Sequence, residues 1–328
     1  MSQWLITGGT GLVGDALRNE LYQSDNCLHV FFLSSRDCDL TDKEKVFKLF
    51  DEFQPTHVVH LAARVGGLFD NLKNNAQFLE TNLLINTNVL SACNRSKSVQ
   101  KVVSCMSTCI FPDGQQLPLR PEFLHNGLPH ISNMGYSFAK RIIDVQNRIF
   151  FSIDKPFLGL IPANMFGEND NFDTENGHVI PSLIHKCYLA KRNGTTFFIK
   201  GSGNAKRQFL YAKDFAKIII LFMKSYNDER PVIIAPPEEQ CILDVANAIA
   251  KLMNFTGPIC CESSMEGSQK QQQVDDGQMI KTADGHAFRS LFTDFQFTPF
   301  DVALKDTVIH FLQNVKKGIL RGTHFHDY

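Results

Sequence analysis

Apolar residues follow two different rhythms along this chain. Short unbroken runs, WLIT at 4–7, LHVFFL at 28–33, THVVHLAA from Thr56 and KVVSCMSTCIF from Lys101, have the length and β-branched content of strands buried on both faces. Between them the apolar positions recur every three or four residues. Leu12, Ala16, Leu17 and Leu21 mark one helix, and Val46, Phe47, Leu49, Phe50 and Phe53 mark a second, with Thr41 as its N-cap and Glu44 in the capping-box position. A third, long helical region runs over about 71–95. Strands alternating with helices predict an α/β fold, a Rossmann-type doubly wound parallel sheet with right-handed crossovers.

The first strand runs directly into GGTGLVG, in which Gly8, Gly11 and Gly14 precede the first helix. A tight turn, close approach of backbone to a pyrophosphate and close packing of helix on sheet each require a residue without a side chain, and the helix N-terminus faces the anion. About twenty residues beyond Gly14, where an acid holding ribose hydroxyls is expected, stand Ser34, Ser35 and Arg36. A guanidinium there suits a ribose 2′-phosphate, which favours NADP over NAD. Asp37 offers the competing carboxylate, and Arg36 as a plain solvated charge is the unspecific alternative. Gly66 and Gly67, after Ala62 and Ala63, form a backbone that can lie flat against a cofactor.

The stretch from Lys101 to Lys140 carries the candidate chemistry. Its strand delivers Ser107 and Cys109 to the carboxyl edge of the sheet, where open α/β sheets bind ligands. GYSFAK then sets Tyr136 and Lys140 four residues apart, on one face of a helix. An ammonium within a few Å of the phenol is expected to lower its pKa towards neutrality, and Ser107 to share the substrate oxygen. On residue type alone, Cys109 is as well read as a small core hydrophobe, and His178 as a capping or surface group.

Beyond Gly167 the polar, turn-rich ENDNFDTENGH leaves the sheet for a second lobe, and VIPSLIHKCYLAKR resumes a helix. The expected division is a Rossmann domain over 1–166, completed by about 210–236 and 293–316. A smaller discontinuous α/β lobe takes 167–209 and 237–292, and a tail takes 317–328. SQKQQQVDDGQ is a polar loop, and the tail's His324 and His326 belong to a frayed terminus.

Composition narrows the classes. The 328 residues are 43% hydrophobic, enough for a large core, and a formal net charge of -1 leaves no basic excess for nucleic acid. Nine cysteines without paired spacing argue for a reducing compartment and against a disulfide framework, and no metal site is expected. No apolar run approaches the roughly 18 residues of a membrane span, and the first strand begins almost at Met1, so a cytoplasmic location is expected.

The glycine loop, the strand-end serine and the Tyr136/Lys140 pair resemble the extended short-chain dehydrogenase/reductase superfamily. Within it, HLAARVGG, VVSCMSTCIFP, HNGLPHISNMGYSFAKR, NMFGENDNF, NGHVIPSLIHK, GSGNAKRQFLY and FTPF resemble the GDP-L-fucose synthase family over about residues 2 to 315. The resemblance implies two reactions on GDP-4-keto-6-deoxy-D-mannose: epimerisation at C3 and C5, then NADPH reduction at C4. It implies Ser107, Cys109, Tyr136, Lys140 and His178 as catalytic residues, with Cys109 the base and His178 the acid of epimerisation. It implies a cofactor site of Gly8, Gly11, Leu12, Val13, Gly14, Arg36, Asp39, Leu40, Ala62, Ala63, Lys140, Pro162, Asn164, Met165 and His178. Lys186, Arg207 and Asp276, with Lys281 as a further candidate, are implied for the nucleotide diphosphate. Lys200 departs from the family's tryptophan, which removes a stacking surface for guanine, with Phe198 nearby. The resemblance also implies a homodimer. The alternatives are another sugar-nucleotide epimerase, dehydratase or reductase of the superfamily, and a nucleotide-binding protein with an impaired site.

Overall fold

A computed structural model describes residues 2–24, 29–261 and 278–322. In chain order the first half contains β1 (Gln3–Thr7), α1 (Leu12–Ser24), β2 (His29–Leu33), α2 (Lys43–Phe53), β3 (His57–His60), α3 (Leu68–Lys73), α4 (Asn75–Arg95), β4 (Lys101–Cys105), α5 (Met134–Phe150) and β5 (Phe157–Pro162). The second half contains β6 (Asn164–Phe166), α6 (Val179–Asn193), β7 (Phe197–Ile199), β8 (Lys206–Arg207), β9 (Phe209–Tyr211), α7 (Ala212–Ser225), β10 (Val232–Ile234), β11 (Gln240–Cys241), α8 (Ile242–Leu252), β12 (Ile259–Cys261), α9 (His286–Leu291) and α10 (Phe300–Lys317).

Six strands form one parallel sheet in the order β10-β5-β4-β3-β1-β2. All five residues of β4 and all six of β5 are buried, as their unbroken apolar runs require of strands covered on both faces. Helices α1 and α7 pack together, and α2, α4 and α5 form a second group. The chain leaves β1 in one direction for β2 and returns on its other side for β3. This reversal opens a crevice between the ends of β1 and β3.

A second core is built on α6, α8 and α10 with three two-stranded sheets, β6-β9, β7-β12 and β8-β11. Its apolar centre includes Ile184, Phe197, Ile249 and Phe311, each at most 1% exposed. Side chains of this size stabilise by about 1.5–3 kcal/mol each when fully buried.

Three details depart from the sequence reading. The N-cap of α2 is Asp42, whose carboxylate accepts from the backbone N–H groups of Glu44 and Lys45. Thr41 instead donates to Asp39, which draws it out of the capping position. The region 71–95 is divided at Asn74 into α3 and α4. The segment 293–316 does not simply complete the first domain: Ala303, Leu304, Val308 and Phe311 of α10 enter the second core. Conversely, Phe288 of α9 lies in the first core, with Phe292, Phe295 and Phe297 packed against it. Amphipathic periodicity identifies a helix's apolar face but not which of two cores receives it.

Candidate active site

The glycine loop occupies the crevice at the strand-order reversal. Gly8 has φ +70°, and a Cβ there would lie 2.9 Å from the backbone nitrogen of Ala62. A Cβ on Gly14 would lie 2.4 Å from the Gly8 carbonyl oxygen, so the first turn of α1 sits directly on the loop. Leu12 and Val13 belong to that turn, and the Ala62 N–H donates to Thr7 Oγ1 at 3.2 Å, joining the two walls. These bare backbone surfaces fit a dinucleotide's pyrophosphate.

At the end of β2 the Asp37 carboxylate turns back on its own loop. It accepts from the Ser34 backbone N–H at 2.8 Å and from the Ser34 hydroxyl at 2.6 Å, and these bonds hold it below its ordinary pKa. Arg36 beside it is exposed. Asp39 is engaged with Thr41, and Leu40 is buried beneath it. Ala63, and Asn164 and Met165 at the start of β6, are partly exposed, and Pro162 closes β5. Asn164 Nδ2 donates to the Gln208 carbonyl at 3.1 Å.

Ser107 follows β4 in extended conformation and accepts the Cys109 backbone N–H at 3.2 Å. This short turn presents the partly exposed Cys109 thiol, while Cys105 inside the strand is buried. Burial opposes ionisation of Cys109, but the Lys281 ammonium, the Ser107 hydroxyl and the positive charge of His178 outweigh it, and the thiol falls below its ordinary pKa. Lys281 Nζ lies 3.2 Å from Cys109 Sγ.

His178 stands at the N-cap position of α6 without making a capping bond, so its imidazole is left to other work. Nδ1 lies 3.5 Å from Asp170 Oδ1. Desolvation lowers its pKa, but Asp170 and the negative charge of Cys109 overcome this and raise it above the ordinary histidine value. Thiol and imidazole thus favour each other's ionised form.

Tyr136 and Lys140 lie on α5 as the spacing predicts, but the electrostatics are the reverse of the expectation. Lys140 is 2% exposed and donates to the Cys105 carbonyl at 2.7 Å, which occupies the ammonium on the strand. Burial and the charges of Cys109 and Cys105 push the Tyr136 phenol above its ordinary pKa, against the bond it makes with Ser107. In this state Tyr136 is a retained proton donor and not a near-neutral phenolate.

Behind Lys140 lies a buried chain that sequence patterning does not mark. His60, fully buried, bonds Thr7 Oγ1 at 2.9 Å through Nδ1 and Asn86 Oδ1 at 3.0 Å through Nε2. Asn86 donates to the Ala139 carbonyl at 3.0 Å, one residue before Lys140. Burial, assisted by the Lys140 charge, pushes His60 down to about 3, so it is a neutral strut joining β1, β3, α4 and α5.

The model for the NAD dependent epimerase/dehydratase family matches residues 4–235. The GDP-L-fucose synthase of Dictyostelium discoideum is 42% identical over 314 residues, covering 94% of this chain and 95% of the relative. The probable GDP-L-fucose synthase of Drosophila melanogaster is 42% identical over 325 residues, 96% and 98% of the two chains. The chain belongs to the NAD dependent epimerase/dehydratase family and, within it, to the GDP-L-fucose synthases. A solved GDP-L-fucose synthetase of Naegleria fowleri bound to NADP superposes with a TM-score of 0.88 at 38% identity, covering 98% of this chain and 96% of that one.

Of the residues expected to hold the nucleotide diphosphate in this GDP-L-fucose synthase, Lys186 lies partly exposed on α6, about two turns beyond His178. Arg207 lies in β8, and its NH1 donates to the Lys206 carbonyl at 2.8 Å. Lys200 is ion-paired with Glu175 at 2.7 Å. That pair ties β7's exit to the loop preceding His178. Phe198 is 38% exposed on the same strand. Asp276 lies outside the described residues. Lys281 lies at Cys109, 172 residues away in sequence, a proximity that no spacing in the sequence reveals. The same holds for Asp170, whose only sequence signal is its place in a polar loop.

Proposed function

We propose that this chain converts GDP-4-keto-6-deoxy-D-mannose to GDP-L-fucose by epimerisation at C3 and C5 followed by reduction at C4. The observation that carries this reading is the placement of Cys109 beside Ser107 and 3.2 Å from Lys281, and of His178 3.5 Å from Asp170, with thiol and imidazole each favouring the other's ionised form. The C–H bonds at C3 and C5 flank the C4 ketone, so their protons become removable when the enolate oxygen is held by donors. Ser107 and Tyr136 are the donors. The Cys109 thiolate takes the proton from one face of the ring, and His178 returns one from Nε2 to the other, inverting the centre. A neutral, high-pKa phenol suits both tasks of Tyr136: it donates a hydrogen bond to O4 in the enolate and gives its proton to O4 during reduction.

NADPH, when bound, supplies the hydride for C4. Gly8, Gly11 and Gly14 with Ala62 provide its pyrophosphate surface, Arg36 the counter-charge for a 2′-phosphate, and Lys140 a buried ammonium that fixes β4 against α5. The other cofactor residues, Leu12, Val13, Asp39, Leu40, Ala63, Pro162, Asn164 and Met165, line the same crevice in this reading. Lys186 and Arg207 are assigned to the diphosphate.

A further part of the reading concerns assembly. Leu84 on α4 and Ile142, Val145 and Ile149 on α5 are exposed large apolar residues, and the last three share one helix face. Pairing of α4 and α5 across a two-fold axis to form a homodimer accounts for them. Among the described residues no helix is long and apolar enough to cross a membrane.

The reading is tested by incubating the protein with GDP-4-keto-6-deoxy-D-mannose and NADPH. Oxidation of NADPH with formation of GDP-L-fucose supports it; oxidation yielding an unepimerised sugar, or no oxidation, overturns it.

A further inference from the structure

We propose that Asp170 and Lys281 are positioning residues for proton transfer, Asp170 fixing the His178 imidazole through Nδ1 and Lys281 fixing the Cys109 sulfur through its ammonium. This deepens the epimerase reading of Cys109 and His178 and rests on it. Lys281 lies 3.2 Å from Cys109 and Asp170 lies 3.5 Å from His178, and between these two pairs the thiol and the imidazole each favour the other's ionised form.

Asp170 is 3% exposed; Oδ1 accepts the Asn171 backbone N–H at 2.7 Å, whereas Oδ2 has no hydrogen-bond partner among the described residues. A buried carboxylate so poorly satisfied is costly unless a cation compensates it, and among the described residues the cation beside it is His178 at 3.5 Å. The loop that holds Asp170 is anchored on both sides. Asn169, in left-handed conformation, bonds the Asp15 carboxylate of α1 and His310 of α10, and its carbonyl accepts from Arg321 at 3.1 Å. On the other side the Phe172 N–H donates to the Arg321 carbonyl at 3.0 Å, and the Phe172 carbonyl accepts from His185 at 2.8 Å. The carboxylate therefore has little freedom to leave His178. Its engagement of Nδ1 leaves Nε2 as the nitrogen that meets the substrate. Arg321 is the opposing charge, and it disfavours the imidazolium.

Lys281 is the other pole. Its Nζ lies 3.2 Å from Cys109 Sγ, and among the described residues the other groups facing that sulfur are Ser107, His178 and Tyr136. A partly buried thiol without a cation is protonated at neutral pH and cannot abstract a carbon-bound proton. Without Asp170 the imidazole loses the largest interactions that favour its protonated form, and less of the form that can return a proton is present. The two flanking residues thus set base and acid in their working forms together.

Two measurements test this. In Asp170→Asn, the alkaline limb of the pH profile for deuterium uptake at C3 and C5 should move down by about one pH unit or more. NADPH-dependent reduction of the already epimerised ketone should stay at the wild-type rate. In Lys281→Met, iodoacetamide alkylation of Cys109, followed by mass spectrometry of its peptide, should require a pH higher by about one unit or more, and Lys281→Arg should restore the wild-type profile. Should Asp170→Asn fail to fold, the His178 resonance of the wild-type protein, assigned by its loss in His178→Gln, must titrate above the ordinary histidine value. An unmoved limb, an unmoved alkylation profile or an ordinary His178 titration overturns the respective assignment. A wild-type protein with no exchange at all removes the epimerase reading instead, and the alkylation result then still judges Lys281 against Cys109.

Discussion

Lys140 on α5 donates its ammonium to the carbonyl of Cys105, at the end of β4, over 2.7 Å. The bond pins the helix bearing Tyr136 to the strand that leads into Ser107 and Cys109, two residues and four residues further on. Relative placement of phenol, hydroxyl and thiol is therefore set by one buried cation, and burial pulls that cation's pKa below the ordinary lysine value.

Tyr136 keeps its proton in this environment, and its role is donation. Tyr136→Phe should lower the rate of ketone reduction by about 10²-fold or more, the usual worth of a positioned acid. The fold should persist, because the ring packs edge-on against Phe78 and that contact survives loss of the hydroxyl. Steady-state NADPH oxidation together with NADPH binding by fluorescence checks both parts; full activity of the variant contradicts the assignment.

His60 makes the molecule sensitive to acid. Its folded pKa, about 3, lies below its ordinary value of 6.5, so between these limits the unfolded chain binds the extra proton. Its contribution is present in full above pH 6.5 and is lost as the pH falls towards 3. At pH 5 the loss is about 2 kcal/mol, from 1.36 kcal/mol per unit. His60→Gln, which keeps an amide donor and acceptor near Thr7 and Asn86, should be less stable at pH 7 but should show a correspondingly flatter decline to pH 5. Urea unfolding at the two pH values measures this, and identical slopes in variant and wild type refute it.

Arg36 stands clear of the carboxylate beside it, since Asp37 is committed to Ser34. Removing a guanidinium from a phosphate contact costs about 1.5–3 kcal/mol, roughly a factor of 10 to 100. Arg36→Ala should therefore reduce kcat/KM for NADPH by that factor and leave NADH turnover nearly unchanged. Equal losses with both cofactors contradict a 2′-phosphate contact.

Ile149 is 71% exposed on the apolar face of α5. A carboxylate there is unpaired and desolvated in a helix-pair interface but harmless on a free surface. Ile149→Asp should convert a wild-type dimer to a monomer in sedimentation velocity without changing the far-ultraviolet circular dichroism. A wild-type sedimentation mass of one chain at micromolar concentration excludes the dimer.

Much of the sheet was legible because its elements write local patterns: β3 and β4 as unbroken apolar runs, α5 as Tyr136 and Lys140 on one face, the cofactor loop as glycines between strand and helix. Ser107 was placed by the end of its strand, whereas roles for Cys109 and His178 were reachable only through family resemblance, since residue type alone leaves Cys109 a plausible core thiol. What stayed hidden is non-local. Lys281 reaches Cys109 across 172 residues, His60 depends on Asn86 26 residues away, and Asp170 acts through the fold of its loop. The direction of the Tyr136 shift was also hidden, because it follows from burial and from the charges of Cys109 and Cys105. The exchange of α9 and α10 between cores has the same cause: an apolar face does not name its partner.

The central claim is that Cys109 serves the carbon-bound protons and not the ketone. Its most direct test is proton magnetic resonance of the nucleotide sugar in heavy water with Cys109→Ser. Deuterium should enter C3 and C5 with the wild-type protein and be lost by orders of magnitude in the variant, while NADPH-dependent reduction of the epimerised ketone proceeds. Equal loss of exchange and reduction, or undiminished exchange, contradicts it.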